Sequence, residues 1–232
     1  MDIILIPGFW LNGSSWDEVA APLRAAGHTV HPVTLPGMES VAADRAGITL
    51  RDHIDAVVSL VDSLPEPVVL VGHSGGGAIA WGVADARPER IARVVYVDSG
   101  PLEDGGVIND ELPVVGDEVP LPDWSEFEDA DLIDLTDQLR ERFRAIAIPE
   151  PVGVTNGKQV LSDPRRYDVP QTVICCEFTT DALREYLKNG WPAELVASKD
   201  YELVDLPTGH WPQLTKPGEL ATVIANAVDR QP

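Results

Sequence analysis

Residues 67–86, PVVLVGHSGGGAIAWGVADA, carry the most informative pattern of the sequence. Its apolar run at 67–72 is typical of a strand that is buried on both faces, and the run from about 76 to 86 is typical of a helix. Ser74 lies between them in the pattern G-x-S-x-G. A strand, a sharp turn and a helix in this order predict a nucleophile elbow, with the serine at the apex of a strained turn.

The glycines of this stretch are explained by the same turn. Gly72 and Gly76 lie two positions from Ser74, where a β-carbon would collide with the tightly folded backbone. The serine oxygen then projects at the N-terminal end of a helix, where free N–H groups favour negative charge. A phosphate-binding loop is poorly supported because G-x-x-x-x-G-K-[ST] is absent and no lysine is near.

A nucleophilic serine needs a base, and His210 is in the right place. It follows the last predicted strand, YELVDL at 201–206, so it should reach the same carboxyl edge of the sheet as Ser74. His73 belongs to the elbow itself and is expected to point away from the serine. The remaining histidines flank a strand or lie in a helix: His28, His31 and His53.

The third member of a catalytic triad is a carboxylate that orients the imidazole. The chain order serine, acid, histidine favours an acid after the fifth predicted strand, QTVICCEF at 171–178. Asp181, in the loop beyond that strand, is therefore our predicted acid. Asp98, after the fourth strand, and Glu177, at the end of the fifth, are the alternatives.

An oxyanion that forms on a substrate carbonyl needs two N–H donors. The residue after the nucleophile, Gly75, supplies one. The loop after the first strand, IPGFW at 6–10, should supply the other, since Gly8 lets the backbone turn closely there. We predict the Phe9 amide as this donor, with the Trp10 amide as the alternative; both aromatic side chains could instead be ordinary core residues.

Apolar runs alternate with amphipathic helical patterns along the chain, which predicts an α/β fold: a doubly wound, mainly parallel sheet of about six strands with helices on both faces. Strands are predicted at 3–6, 28–35, 67–72, 91–98, 171–178 and 201–206, and helices at 14–27, 49–64, 76–86, 181–190 and 217–229.

Residues 101–169 break this alternation. They are rich in proline, glycine and acidic residues, and their one helical pattern spans 130–146. We interpret 101–169 as a small cap or lid insertion that leaves the sheet after the fourth strand and returns at the fifth. The core of the α/β fold would then comprise 1–100 and 170–232.

The composition excludes several classes of function. A net charge of −21 over 232 residues argues against nucleic acid as a partner, and solubility is the simplest reason for the acidity. Cys175 and Cys176 are adjacent, which is neither a disulfide framework nor a metal-ligand spacing. We expect no metal and no cofactor.

The start of the chain, MDIILIPGFW, has neither the basic residues nor the long apolar run of a signal peptide, and no stretch approaches a membrane span. We therefore expect a cytoplasmic protein with no membrane partner, a small ester-like molecule as its ligand, and a monomeric or homodimeric state.

The segments PGFW (7–10), GHSGGG (72–77), TTDAL (179–183) and GHW (209–211) resemble the α/β-hydrolase family. The similarity covers nearly the whole chain and is strongest to the small branch that contains plant methyl-salicylate-type esterases and hydroxynitrile lyases. In that branch the triad acid lies in the loop after the post-cap strand, about thirty residues before the histidine. The resemblance thus also implies Asp181 with His210.

The same branch distinguishes esterases from lyases. Its lyases resemble one another in carrying a threonine in the oxyanion loop and a lysine beside the catalytic histidine, to hold the leaving cyanide. The corresponding positions here are Gly8 and Trp211, and an indole cannot supply the positive charge. The chain also has Pro7-Gly8 where the family commonly has His-Gly, a departure at the second oxyanion donor.

We therefore expect a cofactor-independent serine hydrolase for a small carboxylic ester, lactone or thioester. A modest apolar or aromatic substrate would contact Trp10, Trp211, Trp124 and Phe127, unless these are structural packing residues. The alternatives are lyase or cofactor-free oxygenase chemistry, or a non-catalytic receptor that retains the triad; fold alone does not separate them.

Overall fold

A computed structural model describes residues 1–230 of the chain. Its strands are β1 (Asp2–Ile6), β2 (Thr29–Pro32), β3 (Val68–His73), β4 (Ile91–Val97), β5 (Glu118–Val119), β6 (Glu150–Pro151), β7 (Gln171–Cys175) and β8 (Tyr201–Asp205). Six of them form one sheet in the order β2-β1-β3-β4-β7-β8, and every neighbouring pair is parallel. The predicted fold class is confirmed.

The helices are α1 (Asp17–Ala25), α2 (Leu50–Ser63), α3 (Gly75–Ala86), α4 (Asp137–Ile146), α5 (Val152–Thr155), α6 (Thr180–Lys188), α7 (Ala193–Ala197), α8 (Pro212–Thr215) and α9 (Pro217–Asp229). Thr49 begins α2 with a capping box, since its side chain accepts from the Asp52 N–H and the Asp52 carboxylate accepts from the Thr49 N–H.

The core lies on both faces of the sheet because the strands alternate their apolar side chains between the two faces. Ile3 and Leu5 of β1 pack with residues of α1 and α9, whereas Ile4 and Ile6 pack with residues of α2 and α3. A sheet that is covered on both faces explains why the strands appear in the sequence as continuous apolar runs. Because both faces are covered, a binding or catalytic site can form only at the edges where the strands end.

The segment between β4 and β7 leaves this sheet. Its two short strands, β5 and β6, pair antiparallel with each other. The predicted helix at 130–146 is shorter than expected: α4 begins only after Thr136, whose hydroxyl accepts from the Leu139 N–H. Asp134 has φ of 62°, in the left-handed region, which is incompatible with a helix running through that position. The division into core and cap remains a prediction.

Within residues 1–230, no helix combines the length and the apolar character that a membrane crossing requires.

Candidate active site

Ser74 occupies a strained turn between β3 and α3. Its backbone has φ of 51° and ψ of −124°, which non-glycine residues rarely adopt. The surroundings hold this conformation: the Ser74 N–H donates to the Val97 carbonyl at 3.1 Å, and the Ser74 carbonyl accepts from Ser99 Oγ at 2.6 Å. These two hydrogen bonds therefore fix the backbone of Ser74.

The close approach of three backbone segments explains the glycines around Ser74. A β-carbon on Gly72 would collide with the Gly76 backbone, and one on Gly76 would lie 2.6 Å from the Ile6 carbonyl oxygen. Gly8 is constrained in the same way, because a β-carbon there would lie 2.8 Å from Ser74 Cβ. The loop after β1 thus packs directly on the elbow.

Ser74, His210 and Asp98 form a hydrogen-bonded chain. Ser74 Oγ donates to His210 Nε2 over 2.9 Å, and His210 Nδ1 donates to Asp98 Oδ2 over 2.7 Å. Asp98 is buried, and its second oxygen accepts from the backbone N–H of Cys176 at 2.9 Å and of Glu177 at 3.3 Å. This arrangement can draw a proton from the serine and stabilise the imidazolium that results.

The predicted acid, Asp181, is not the partner of His210, and this prediction is corrected. Asp181 lies in the first turn of α6 with 91% of its side chain exposed, and it pairs with Arg184 at 2.8 Å. Asp98 has a left-handed backbone, with φ of 46°, and its Oδ2 accepts from His210 Nδ1. The carboxylate that contacts His210 thus comes from the loop after β4.

Glu177, the other alternative, also faces the imidazole. Its Oε1 lies 3.8 Å from His210 Nδ1, while its Oε2 is buried and meets no hydrogen-bond donor within residues 1–230. Burial, a hydrogen bond with Asp131 and the charge of Asp98 raise the pKa of Glu177 to about 9, so it is neutral at pH 7. One negative charge, on Asp98, then faces the imidazole.

These groups are also the ones to consider for a metal. Asp98, Glu177 and His210 each offer one ligand atom, all within 4.8 Å of one another. Both imidazole nitrogens already have partners, Ser74 and Asp98, so a proton relay accounts for the geometry. That the protein uses neither metal nor cofactor stays a prediction.

His73 helps to position His210. It is buried, its Nε2 donates to the His210 carbonyl at 2.6 Å, and its Nδ1 accepts from Gln213 Nε2 at 3.2 Å. Burial, aided by the nearby His210, lowers the pKa of His73 to about 3, so the ring is neutral. As expected, it holds no hydrogen bond to Ser74.

The His210 loop is also tied to the segment between β4 and β7. The N–H of Gly209 donates to the Ile133 carbonyl at 3.0 Å, and the N–H of His210 donates to the Asp131 carbonyl at 2.8 Å. The base is therefore positioned from two sides, by the elbow and by residues 131–133.

The loop after β1 leaves the Phe9 amide available for an oxyanion. The Trp10 N–H donates to Glu150 Oε2 at 3.3 Å, which removes Trp10 as the alternative donor. The Phe9 N–H meets no acceptor within residues 1–230. Gly75 begins α3, whose first N–H groups have no partner inside the helix. The roles of Phe9 and Gly75 remain predictions.

An aromatic cavity of about 510 Å³ opens at Ser74 and His210, and we call it the histidine-side cavity. Three of the four predicted substrate-binding residues line it: Trp10, Phe127 and Trp211. Trp124 packs behind them, with ring centroids 5.5 Å from Phe127 and 6.0 Å from Trp211.

A second opening on Ser74 is absent from our sequence predictions. A cavity of about 320 Å³ runs from Ser74 past Ser99 and Gly100 to Trp191. It adjoins a groove of about 650 Å³, which we call the apolar groove. The groove is lined chiefly by Phe178, Leu183, Tyr186, Trp191 and Leu195. The exposed aromatic pair of Tyr186, on α6, and Trp191, just beyond that helix, is a sequence signal that could have indicated it.

Proteins with similar sequences include named esterases. The carbendazim hydrolyzing esterase of Nocardioides sp. (strain SG-4G) is 29% identical over 97% of this chain and 98% of that protein. Methylesterase 7 of Arabidopsis thaliana is 34% identical over 40% of this chain and 38% of its own length.

Solved structures share the fold. An extracellular alpha/beta-hydrolase from a Paenibacillus species, described as sharing structural and functional homology with tobacco salicylic acid binding protein 2, has a TM-score of 0.79 at 23% identity and covers 98% of both chains. An Arabidopsis methylesterase has a TM-score of 0.73 at 17% identity, over 98% of each chain. These likenesses confirm the predicted resemblance to plant methylesterases.

A family model described as "Alpha/beta hydrolase family" matches residues 3–223, which include every residue of the hydrogen-bonded chain at Ser74. With the parallel sheet and the elbow in place, this protein belongs to the alpha/beta hydrolase family.

Proposed function

We propose that the protein is a serine hydrolase that cleaves small carboxylic esters, or related lactones or thioesters, through an acyl-enzyme. One observation carries the proposal: Ser74 Oγ, His210 and Asp98 form a continuous hydrogen-bonded chain at 2.9 Å and 2.7 Å. Such a chain makes an ordinary serine hydroxyl nucleophilic at neutral pH.

The reaction begins when His210 Nε2 accepts the Ser74 proton as Oγ attacks the ester carbonyl. The oxyanion of the tetrahedral intermediate accepts hydrogen bonds from the Gly75 and Phe9 amides. His210 then gives its proton to the departing alcohol oxygen, which leaves an acyl group on Ser74. A water molecule then gives a proton to His210 and attacks the acyl carbonyl. His210 returns that proton to Ser74 Oγ as the bond to the acyl group breaks, and the carboxylic acid departs.

The named relatives support an esterase over a lyase. Several curated relatives bear esterase names, including one that matches along 97% of this chain. Trp211, at the position where the lyases carry a lysine, is buried against Phe127 and Phe143. Among the described residues, no Lys or Arg lines the histidine-side cavity to hold a leaving cyanide.

A fluorophosphonate probe and a short p-nitrophenyl ester test the proposal. We expect covalent labelling and ester turnover by the unmodified protein, and loss of both in Ser74→Ala. Ser59→Ala, which removes an exposed hydroxyl on α2, is the matched control and should keep both.

Full turnover by Ser74→Ala would refute the proposed mechanism. Cyanide release, oxygen uptake or tight ligand binding without turnover, in the absence of ester hydrolysis, would point instead to lyase, oxygenase or receptor function.

A further inference from the structure

Ser74 lies between two cavities of different chemical character. The histidine-side cavity contains the acidic residues Glu111, Glu126 and Asp131 in addition to its aromatic wall. On the other side, the cavity that contains Ser74 also includes Asp98 and Glu103, and it leads to the apolar groove, which carries no Asp, Glu, Lys or Arg among its lining residues. An ester bound at Ser74 has two halves, and these two cavities can take one half each.

The position of the general acid decides which half enters which cavity. His210 must protonate the departing alcohol oxygen, so that oxygen lies within hydrogen-bond reach of Nε2. His210 lines the cavity that Trp211 and Phe127 also line, and it does not line the cavity on the Gly100 side. The alcohol half therefore enters the histidine-side cavity, and the acyl half extends the other way.

We infer that the apolar groove is the acyl-binding site, and that the substrates are esters of apolar acids with extended chains. This inference rests on the proposed hydrolase function. The groove is continuous with the serine, since Ser99, Gly100, Trp191 and Pro192 line both the groove and the cavity that contains Ser74.

The wall of the groove suits a hydrocarbon chain. Leu183 and Leu195 line the groove and are buried. The side chains of Tyr186 and Trp191 are 54% and 61% exposed, and their rings pack edge to face with centroids 5.5 Å apart. Exposed aromatic area of this kind gains from contact with an apolar ligand. Each methylene that the groove removes from water should raise kcat/KM about fourfold.

Gly100 controls the passage from the serine to the groove. A β-carbon added there would meet only Pro192 Cγ, at 4.0 Å, so the backbone accepts a side chain. A leucine at this position would fill the passage. Gly218, on α9, also has open space for a β-carbon and lines neither cavity, which makes it a matched control.

The test compares p-nitrophenyl acetate, butyrate, hexanoate and octanoate with an alkyl acetate series in which only the alcohol grows. For the unmodified protein, kcat/KM should rise with acyl length. Gly100→Leu should lower the octanoate-to-acetate ratio of kcat/KM by about tenfold or more, whereas Gly218→Leu should leave that ratio unchanged. For the alkyl acetates, the dependence of kcat/KM on alcohol length should be the same in Gly100→Leu and Gly218→Leu.

Two results would overturn the inference. One is an octanoate-to-acetate ratio in Gly100→Leu equal to that of the unmodified protein; the other is a selective loss of long alkyl acetates. Either result with Ser74-dependent turnover intact refutes the acyl site alone, whereas the absence of Ser74-dependent turnover on every ester refutes the proposed function.

Discussion

Three donors converge on the Asp98 carboxylate: the His210 imidazole and the backbone N–H groups of Cys176 and Glu177. A buried anion is tolerated only when hydrogen bonds replace its lost hydration. The site thus holds a fixed negative charge opposite the nitrogen that becomes positive during the reaction.

The identity of the acid can be tested by substitution. Asp98→Asn should lower kcat on a short ester by up to about 10⁴-fold, because an amide neither fixes the imidazole tautomer nor stabilises its cation. Asp181→Asn, at an exposed position on α6, should change kcat by less than about twofold. A large loss in Asp181→Asn with a small one in Asp98→Asn would restore our original assignment.

Glu177 can be tested in the same way. Removing the Asp98 charge relieves the repulsion that helps to keep Glu177 protonated, so Glu177 can ionise 3.8 Å from Nδ1 in Asp98→Asn. The double variant Asp98→Asn/Glu177→Gln should therefore be about tenfold slower than Asp98→Asn at pH 8. Steady-state kinetics on one ester measures the difference; equal rates would show that Glu177 cannot substitute for Asp98.

Ser74 and His210 were predictable because each belongs to a local pattern with a steric or positional reason. Asp98 was only an alternative, since β4 and β7 are neighbours and their loops reach the same edge. The choice between these loops depends on the left-handed backbone of Asp98, which the sequence does not display. The side chains of the apolar groove were missed because they come from separate elements.

At the scale of elements, Arg166 joins the end of the segment between β4 and β7 to two helices of the core. Its guanidinium donates to Asp85 of α3 at 3.2 Å and to Glu194 of α7 at 2.9 Å, and all three side chains are buried. Glu194 also accepts from Trp81 Nε1 at 2.9 Å. The buried charges are paired and hydrogen-bonded, as such groups must be.

Arg166→Met should lower the free energy of unfolding by about 3–5 kcal/mol, because it leaves Asp85 and Glu194 buried without their cation. Urea unfolding followed by tryptophan fluorescence measures the loss. Arg165→Met is the control, since Arg165 is 65% exposed and should change stability by less than about 0.5 kcal/mol. Equal losses of unfolding free energy in both variants would show that the buried ion pairs of Arg166 stabilise the fold no more than the exposed ones of Arg165.

At the scale of the whole molecule, buried titratable groups set how stability depends on pH. Burial raises the pKa of Glu150 to about 8, and Glu177 has a pKa of about 9, whereas both titrate near 4.5 when unfolded. Between the unfolded and the folded pKa of each group, the folded state therefore binds more protons than the unfolded state. The free energy of unfolding falls as pH rises through this range. The buried histidines His53 and His73 act oppositely, but only below about pH 6.5.

The midpoint of urea unfolding should therefore fall between pH 6.5 and 9. Glu150→Gln should reduce this fall, because the amide stays neutral and can still accept the Trp10 N–H. Denaturation curves at several pH values measure the effect, with Glu118→Gln as a partly exposed control on β5. An identical slope in Glu150→Gln would show that Glu150 is ionised in the folded protein.

The tie between the His210 loop and residues 131–133 has a consequence for engineering. The carbonyls of Asp131 and Ile133 fix the loop that carries the base, and a β-carbon on Gly209 would collide with both. A chimaera that receives residues 101–169 from a relative would therefore misplace His210 unless residues 131–133 and Gly209 are transferred together.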